Sequence, residues 1–265
     1  MVKKIGSSSR SVQDEVYSAL RTSIINLNLV PGKVISETEI SLKFKVSRTP
    51  VREALIHLSK EGLVEVIPQK ETLISLIDPV RVEQEFFLRE SLETAVLESF
   101  LQNSGHDRFA ELEKLIVLQA KALKTKSFID FITYDDRFHG IFFEASGQHL
   151  SWEVLASMSG HYHRMRVLSI LMAGGAGGKV DEHSKILTAL KRKDLAKAKK
   201  MLYLHLHNLD TEEKLIRKAY PGYFASRTEQ NQFDVDFGGL PLIRPEAQAV
   251  GTGGEAKKPG KRKIV

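Results

Sequence analysis

From Val12 onward, the apolar residues Val16, Leu20, Ile24 and Leu27 recur at helical spacing and predict a first helix ending before the Pro31–Gly32 turn. Val34–Ile35 is a short extended piece. Ser36-Glu37-Thr38-Glu39 has the pattern of a capping box, in which Ser36 and Glu39 satisfy orphan amides of a short second helix running to about Phe44. Lys45–Val46 form a tight turn, and Ser47 is placed to cap a third helix. Pro50 falls in its first turn, where no intrahelical N–H bond is lost, and Gly62 ends it. Two strand-like stretches, Leu63–Ile67 and Leu73–Ile77, flank Pro68–Thr72 and predict a hairpin.

Asp78–Pro79 marks a junction, with Asp able to cap and Pro able to start the next helix. The period then stays helical to about Tyr220, with breaks near Ser104–Asp107, Lys124–Ser127, Ser146–His149, Ala173–Gly178 and Lys193–Asp194. About six helices joined mostly by short loops predict an antiparallel bundle. After Pro221 the chain turns rich in Gly, Pro and Lys, so 221–265 is expected to be a largely disordered tail; the Ser-rich arm over 1–11 is expected to fray. The expected fold class is mainly α. An N-terminal winged helix-turn-helix with a small β-hairpin occupies 12–78, and a C-terminal antiparallel all-α bundle occupies 79–220.

A length of 265 residues suits two domains, each with its own core. The absence of cysteine excludes disulfides and thiolate metal sites, leaving His, Asp and Glu as possible ligands and a reducing cytoplasm as the expected setting. No apolar run approaches bilayer length, and the opening MVKKIGSSSR lacks the apolar core of a secretory leader, so no membrane partner is expected. The formal net charge of +6 agrees with a nucleic-acid partner but does not establish one. Up to Asp78, eleven Lys and Arg face nine Asp and Glu. Placement matters more: Lys43, Lys45, Arg48 and Arg52 fall close together.

On the third helix, Val51, Ala54, Leu55 and Leu58 share one face, while Arg48 and Arg52 share another with Thr49 beside them. Two guanidinium forks at an exposed helix start suit guanine edges or phosphate oxygens in a major groove. The plainer alternative is a pair of surface charges held by Glu53 or Glu37. The run Ser47-Arg48-Thr49-Pro50-Val51-Arg52-Glu53-Ala54-Leu55, followed by Leu58 and Glu61-Gly62-Leu63-Val64, resembles the recognition-helix signature of the GntR family of bacterial regulators, over about residues 12–77. The resemblance implies that Arg48 and Arg52 contact operator DNA, that Thr49 assists and that Ser47 orients the helix. At the hairpin tip the family commonly carries Arg or Lys followed by Gly; Lys70 and Glu71 stand there in this chain. Lys70 is still expected to reach the DNA backbone, whereas a carboxylate in place of glycine works against a minor-groove contact.

Asp135 and His139, four apart, share one helix face; His183 follows the glycine cluster and His205 lies in the last long helix. One carboxylate and three imidazoles suit Zn²⁺, Mn²⁺ or Ni²⁺, but nine histidines also offer accidental sets, and spacing alone does not choose. The segment Asp135-Asp136-Arg137-Phe138-His139 with Ala145-Ser146-Gly147, then Glu182-His183 with Ile186 and Ala189-Leu190, and finally His205, is similar to the FCD ligand-binding domain of the FadR-type subfamily, over about residues 80–218. That similarity implies a divalent metal (Zn, Ni or Mn) held by Asp135, His139, His183 and His205, with open positions for a small organic-acid effector. It also implies that Arg89 faces the pocket as an anion clamp; the alternative is a salt bridge to Glu85 or Glu93 on the same helix. Of Arg164 and Arg166, only one is expected to face inward. Trp152, the single tryptophan, is accounted for by core packing.

The Gly174–Gly178 loop lacks the Lys-Ser/Thr ending and preceding strand of a phosphate loop and is expected to be a helix connection. The basic C-terminal run (Lys257, Lys258, Lys261, Arg262, Lys263) is expected to be solvated. The expected function is that of a homodimeric repressor, not an enzyme, binding an inverted-repeat operator under control of a small organic acid. A metal-dependent enzyme using the His/Asp set, or an architectural DNA binder whose helical part only dimerises, are the alternatives.

Overall fold

The computed structural model describes residues 11–67, 71–172 and 178–226. Helix α1 (Val12–Ile25) opens with a full capping box: Asp14 N donates to Ser11 Oγ and Ser11 N donates to Asp14 Oδ2. Leu27, expected on this helix, lies past its end with φ near 59° and packs against bundle residues instead. Helix α2 (Glu37–Phe44) is capped by Ser36, which accepts from the Thr38 and Glu39 amides; among the described residues the reciprocal Glu39 bond is not formed. Lys45 takes the left-handed conformation that turns the chain into α3 (Arg48–Lys60). Ser47 stands at the N-cap of α3, as expected, but its side chain makes no capping bond.

Three strands form an antiparallel sheet in the order β1 (Val34–Ile35), β3 (Glu71–Ile74), β2 (Val64–Ile67). The second hairpin strand starts earlier than expected, so Glu71 pairs with Ile67 rather than standing at a tip. The reason is the alternation of faces: this register puts Thr72 and Ile74 inward. Residues 68–70, including Gln69 and Lys70, lie outside the described residues. Val16, Leu20 and Ile24 of α1, Val51, Leu55 and Leu58 of α3, and Leu63 and Ile74 form the core of this winged helix.

Asp78 accepts from the Val80 and Arg81 amides and starts α4 (Pro79–Asn103), with Pro79 in the first turn. Helices α5 (His106–Lys124), α6 (Phe128–Ala145), α7 (His149–Met158), α8 (Gly160–Leu171), α9 (Lys179–Lys191) and α10 (Leu195–Ala219) follow. The bundle thus has seven helices among the described residues rather than six, because the stretch after His149 breaks at Ser159. The break serves a close approach: a Cβ added to Gly160 would stand 2.7 Å from Leu63 Cδ2, in the winged-helix core. Phe100, Leu112, Phe138, Phe142, Ile186, Leu190 and Leu202 are fully buried in the bundle.

Beyond α10, the first residues of the stretch expected to be a largely disordered tail take a defined place. Pro221–Tyr223 form a 3-10 turn, and Phe224 bridges to Ile77, with Ile77 N donating to Tyr223 O at 2.7 Å and Ala225 N to Ile77 O at 3.0 Å. These bonds satisfy main-chain groups that would otherwise be buried unpaired. The Gly174–Gly177 stretch and the basic run near the end lie outside the described residues. No helix among the described residues is long and apolar enough to cross a membrane.

Candidate DNA-reading helix and metal centre

Helix α3 is divided sharply between an inner and an outer face. Val51, Ala54, Leu55 and Leu58 are buried, while Arg48, Thr49 and Arg52 are exposed. Among the described residues neither arginine forms an ion pair, so the alternative in which Glu53 or Glu37 holds them does not apply. The first turn of α3 carries no acidic residue, leaving its amide end and both guanidinium groups available to an anionic partner.

The second site lies inside the bundle. Asp135 and His139 project from one face of α6, His183 from α9 and His205 from α10. All four are buried, with ligand-type atoms within 4.8 Å of one another. Each imidazole is held through its outer nitrogen. His139 Nδ1 lies 2.6 Å from Glu93 Oε2, His183 Nδ1 2.7 Å from Gln119 Oε1, and His205 Nδ1 2.8 Å from Glu182 Oε2. Gln119 donates its amide nitrogen to Tyr134 O, which turns its oxygen towards His183. With every Nδ1–H donated outward, every Nε2 presents a lone pair inward.

Two consequences follow. His139 Nε2 is buried without a hydrogen-bond partner, and His183 Nε2 faces His205 Nε2 at 3.1 Å, lone pair against lone pair. Orphaned and mutually repelling donors of this kind call for a cation between them. Burial, then the charge of neighbouring imidazoles, holds His183 and His205 well below the ordinary imidazole range, in the neutral form a metal needs. Burial alone would raise the Asp135 carboxyl, but Arg166, followed by the three imidazoles, holds it well below the usual range. The residues present therefore fit a divalent ion with three nitrogen donors and one oxygen donor.

Arg89 is buried and donates from Nε to Glu93 at 2.6 Å, so the same-helix salt bridge forms with Glu93 and not with Glu85. Burial would raise Glu93, yet Arg89 and His139 hold it at about 2. Arg89 also lines, with Asp135, Arg166 and His205, a cavity of about 20 Å³ beside the candidate metal ligands. Arg164 and Arg166 both face inward, contrary to expectation. Two positions apart on α8, they leave opposite sides of the helix. Arg166 pairs with Asp135 and, at 2.7 Å, with Asp136.

Arg164 turns to the winged helix and donates to Ser75 O at 2.6 Å and to His161 Nδ1 at 3.1 Å. His161 in turn donates from Nε2 to Gly62 O at 3.1 Å and accepts from Asp78 N at 3.0 Å. Glu85 caps α8 by accepting from the His161 and Tyr162 amides at 2.8 Å. This seam was not anticipated. Its available signal was a glycine interrupting a helical period, followed by His161 and Arg164 three apart on one face.

The family model described as bacterial regulatory proteins, gntR family, matches residues 12–74, and the FCD domain model matches residues 85–208. The transcriptional repressor RspR of Escherichia coli K12 is 27% identical over 217 residues, covering 82% of this chain and 95% of that protein. An HTH-type regulator of an unstable DNA locus in Streptomyces ambofaciens is 32% identical over 217 residues, covering 82% of this chain and 91% of its own. Among solved structures, E. coli McbR/YncC superposes with a TM-score of 0.68 at 18% identity, over 80% of this chain and all of that one. These relatives are transcription regulators, so the metal-dependent enzyme is set aside. The chain belongs to the GntR family of bacterial transcription regulators, in the branch that carries an FCD domain.

Proposed function

We propose that the chain acts as a homodimeric repressor whose hold on an inverted-repeat operator is set by a small organic acid bound beside a divalent metal. In this reading residues 12–78 are the DNA-binding domain and 79–220 the FCD-type effector-binding domain. The observation that carries the DNA half is the exposure of Arg48, Thr49 and Arg52 at the start of a helix whose other face is wholly buried. Arg48 and Arg52 donate to guanine edges or phosphate oxygens, Thr49 assists, and Ser47, at the N-cap position, belongs to the same DNA-facing turn. Lys70, outside the described residues, is assigned a backbone contact. Phe87 on α4 and Tyr203 and Leu204 on α10 leave apolar surface exposed on two packed helices, which supports pairing of two copies. The repressor name of RspR supports the sign of regulation.

When bound, a divalent ion (Zn, Ni or Mn) supplies a Lewis-acidic centre with positions open to a carboxylate. Asp135, His139, His183 and His205 would hold it. Glu93, Gln119 and Glu182 fix the three ring orientations. Arg89 and Arg166 border the same space and offer N–H donors to an effector carboxylate. Elemental analysis paired with operator gel shifts tests both halves. Metal is expected in the purified wild type and absent from His139→Ala, and unchanged operator affinity in Arg52→Ala would overturn the DNA assignment.

A further inference from the structure

A second cavity, of about 190 Å³, lies between the winged helix and the bundle. Arg21 and Ile25 of α1, Trp152 and Leu155 of α7, and Arg89 and Arg166 are among its walls. Its chemistry is two-sided. Trp152 forms a flat apolar wall held against α6: a Cβ on Gly140 would stand 3.1 Å from its ring, and Phe143 packs on it with centroids 5.3 Å apart. Three guanidinium groups supply the other side.

Arg89 is only 4% exposed, and among the described residues its one hydrogen bond is from Nε to Glu93; its guanidinium lies over the Tyr162 ring at 5.5 Å, with no hydrogen bond at either Nη. Arg21 reaches the cavity from the winged helix. Its Nε donates to Glu61 at 2.7 Å, while Nη2 donates to the main-chain oxygens of Ala156 at 2.7 Å and Ser157 at 3.1 Å. The single lining carboxylate, Asp136, is already paired with Arg166.

Size separates this cavity from the one beside the His/Asp set. About 20 Å³ accommodates roughly one water, whereas an apolar cavity of about 150 Å³ accepts benzene. We propose that the larger cavity, which shares Arg89 and Arg166 with the smaller one, is itself a binding site for a compact organic monoanion with a flat apolar body, of which benzoate is the type, lodged between winged helix and bundle. The carboxylate meets the Nη donors of Arg89 with Arg21 and Arg166 nearby, and the ring lies against Trp152, Ile25 and Leu155. An anion that draws Arg21 from the Ala156 and Ser157 carbonyls releases a contact between the two halves, so occupancy bears directly on how the winged helix is seated.

Trp152 is the only tryptophan of the protein, so its emission reports on this wall alone. The full-length protein is titrated with benzoate, phenylacetate and, as the neutral counterpart, benzyl alcohol. A saturable change is expected with the acids and not with the alcohol, in wild type with or without chelator. Arg21→Gln is expected to weaken the response about tenfold, the loss of one charge-assisted hydrogen bond. Ile25→Phe, which fills the space, is expected to abolish it while metal content stays as in wild type. Should Ile25→Phe fail to fold, Arg21→Gln carries the test. A response lost on chelation but kept in Ile25→Phe places the acid on the metal and overturns the proposal. No saturable response to either acid, or an equal one to the alcohol, overturns it outright. Failure of the metal reading is seen separately, as wild-type protein without metal.

Discussion

Arg164, with no exposed surface, donates from Nη1 to the main-chain oxygen of Ser75 at 2.6 Å, so a bundle residue satisfies a carbonyl of the winged helix. Burial lowers the guanidinium to about 10, against the attraction of Glu85, and it stays charged at neutral pH. Removing it strands the Ser75 carbonyl and leaves Glu85 with less positive charge nearby. Arg164→Met is therefore expected to lower stability by about 3 kcal/mol in urea unfolding. A change below about 1 kcal/mol would show that the seam contributes little.

Arg52 presents the opposite situation, exposed and without an ion pair among the described residues. Arg52→Ala should leave the thermal midpoint nearly unchanged while operator binding weakens by about 1–3 kcal/mol and tolerates base changes at the contacted position. Fluorescence anisotropy on operator variants measures both. A large drop in stability would mean that the side chain serves the fold instead.

Three outward-facing acceptors make the metal prediction specific. Glu93→Gln keeps a side-chain oxygen near His139 but removes the charge, and should cut metal affinity roughly 10- to 100-fold. At a metal concentration of about 100 times Kd, wild type should gain about 2.7 kcal/mol of stability, a gain absent from His139→Ala. Thermal scans with and without chelator give the comparison.

Burial, working against Asp136, lowers His163 to about 4. Its neutral ring donates to Asn26 Oδ1 at 3.3 Å across the seam. A depressed imidazole means that the unfolded chain binds more protons between about pH 6.5 and 4, so stability falls as pH falls through that window, by up to about 3 kcal/mol. Glu85, raised by burial to about 7, acts in the reverse sense at overlapping pH. The informative quantity is thus the difference between wild type and His163→Gln, which should shrink on acidification. A pH-independent difference would contradict the assignment.

Where one period governs, the sequence was legible. The 3.6-residue repeat separated Val51 and Leu55 from Arg48 and Arg52, and the four-residue spacing put Asp135 and His139 on one face. His183 and His205 joined them through family resemblance, since no spacing rule brings three helices to one point. Glu93, Gln119 and Glu182 went unnoticed for the same reason: each meets its histidine across a helix–helix contact. The second hairpin strand was placed two residues late because its apolar residues begin only at Leu73, whereas pairing with Val66 and Ile67 brings the polar Thr72 and Glu71 into the strand. Ser159 carried no strong break signal, and its role depends on how Gly160 meets Leu63.

From Gly160 to Arg166 is about 9 Å of helix, short enough to move as a rod. One end of that rod is fastened beneath the wing and the other to the acidic pair on α6. A lever of this kind has no preferred direction. Whatever factor a small molecule imposes on the grip for DNA, the duplex must impose on the grip for that molecule. Operator fragments should therefore shift the protein's affinity for its own regulator, a relation that can be weighed in a calorimeter from either side.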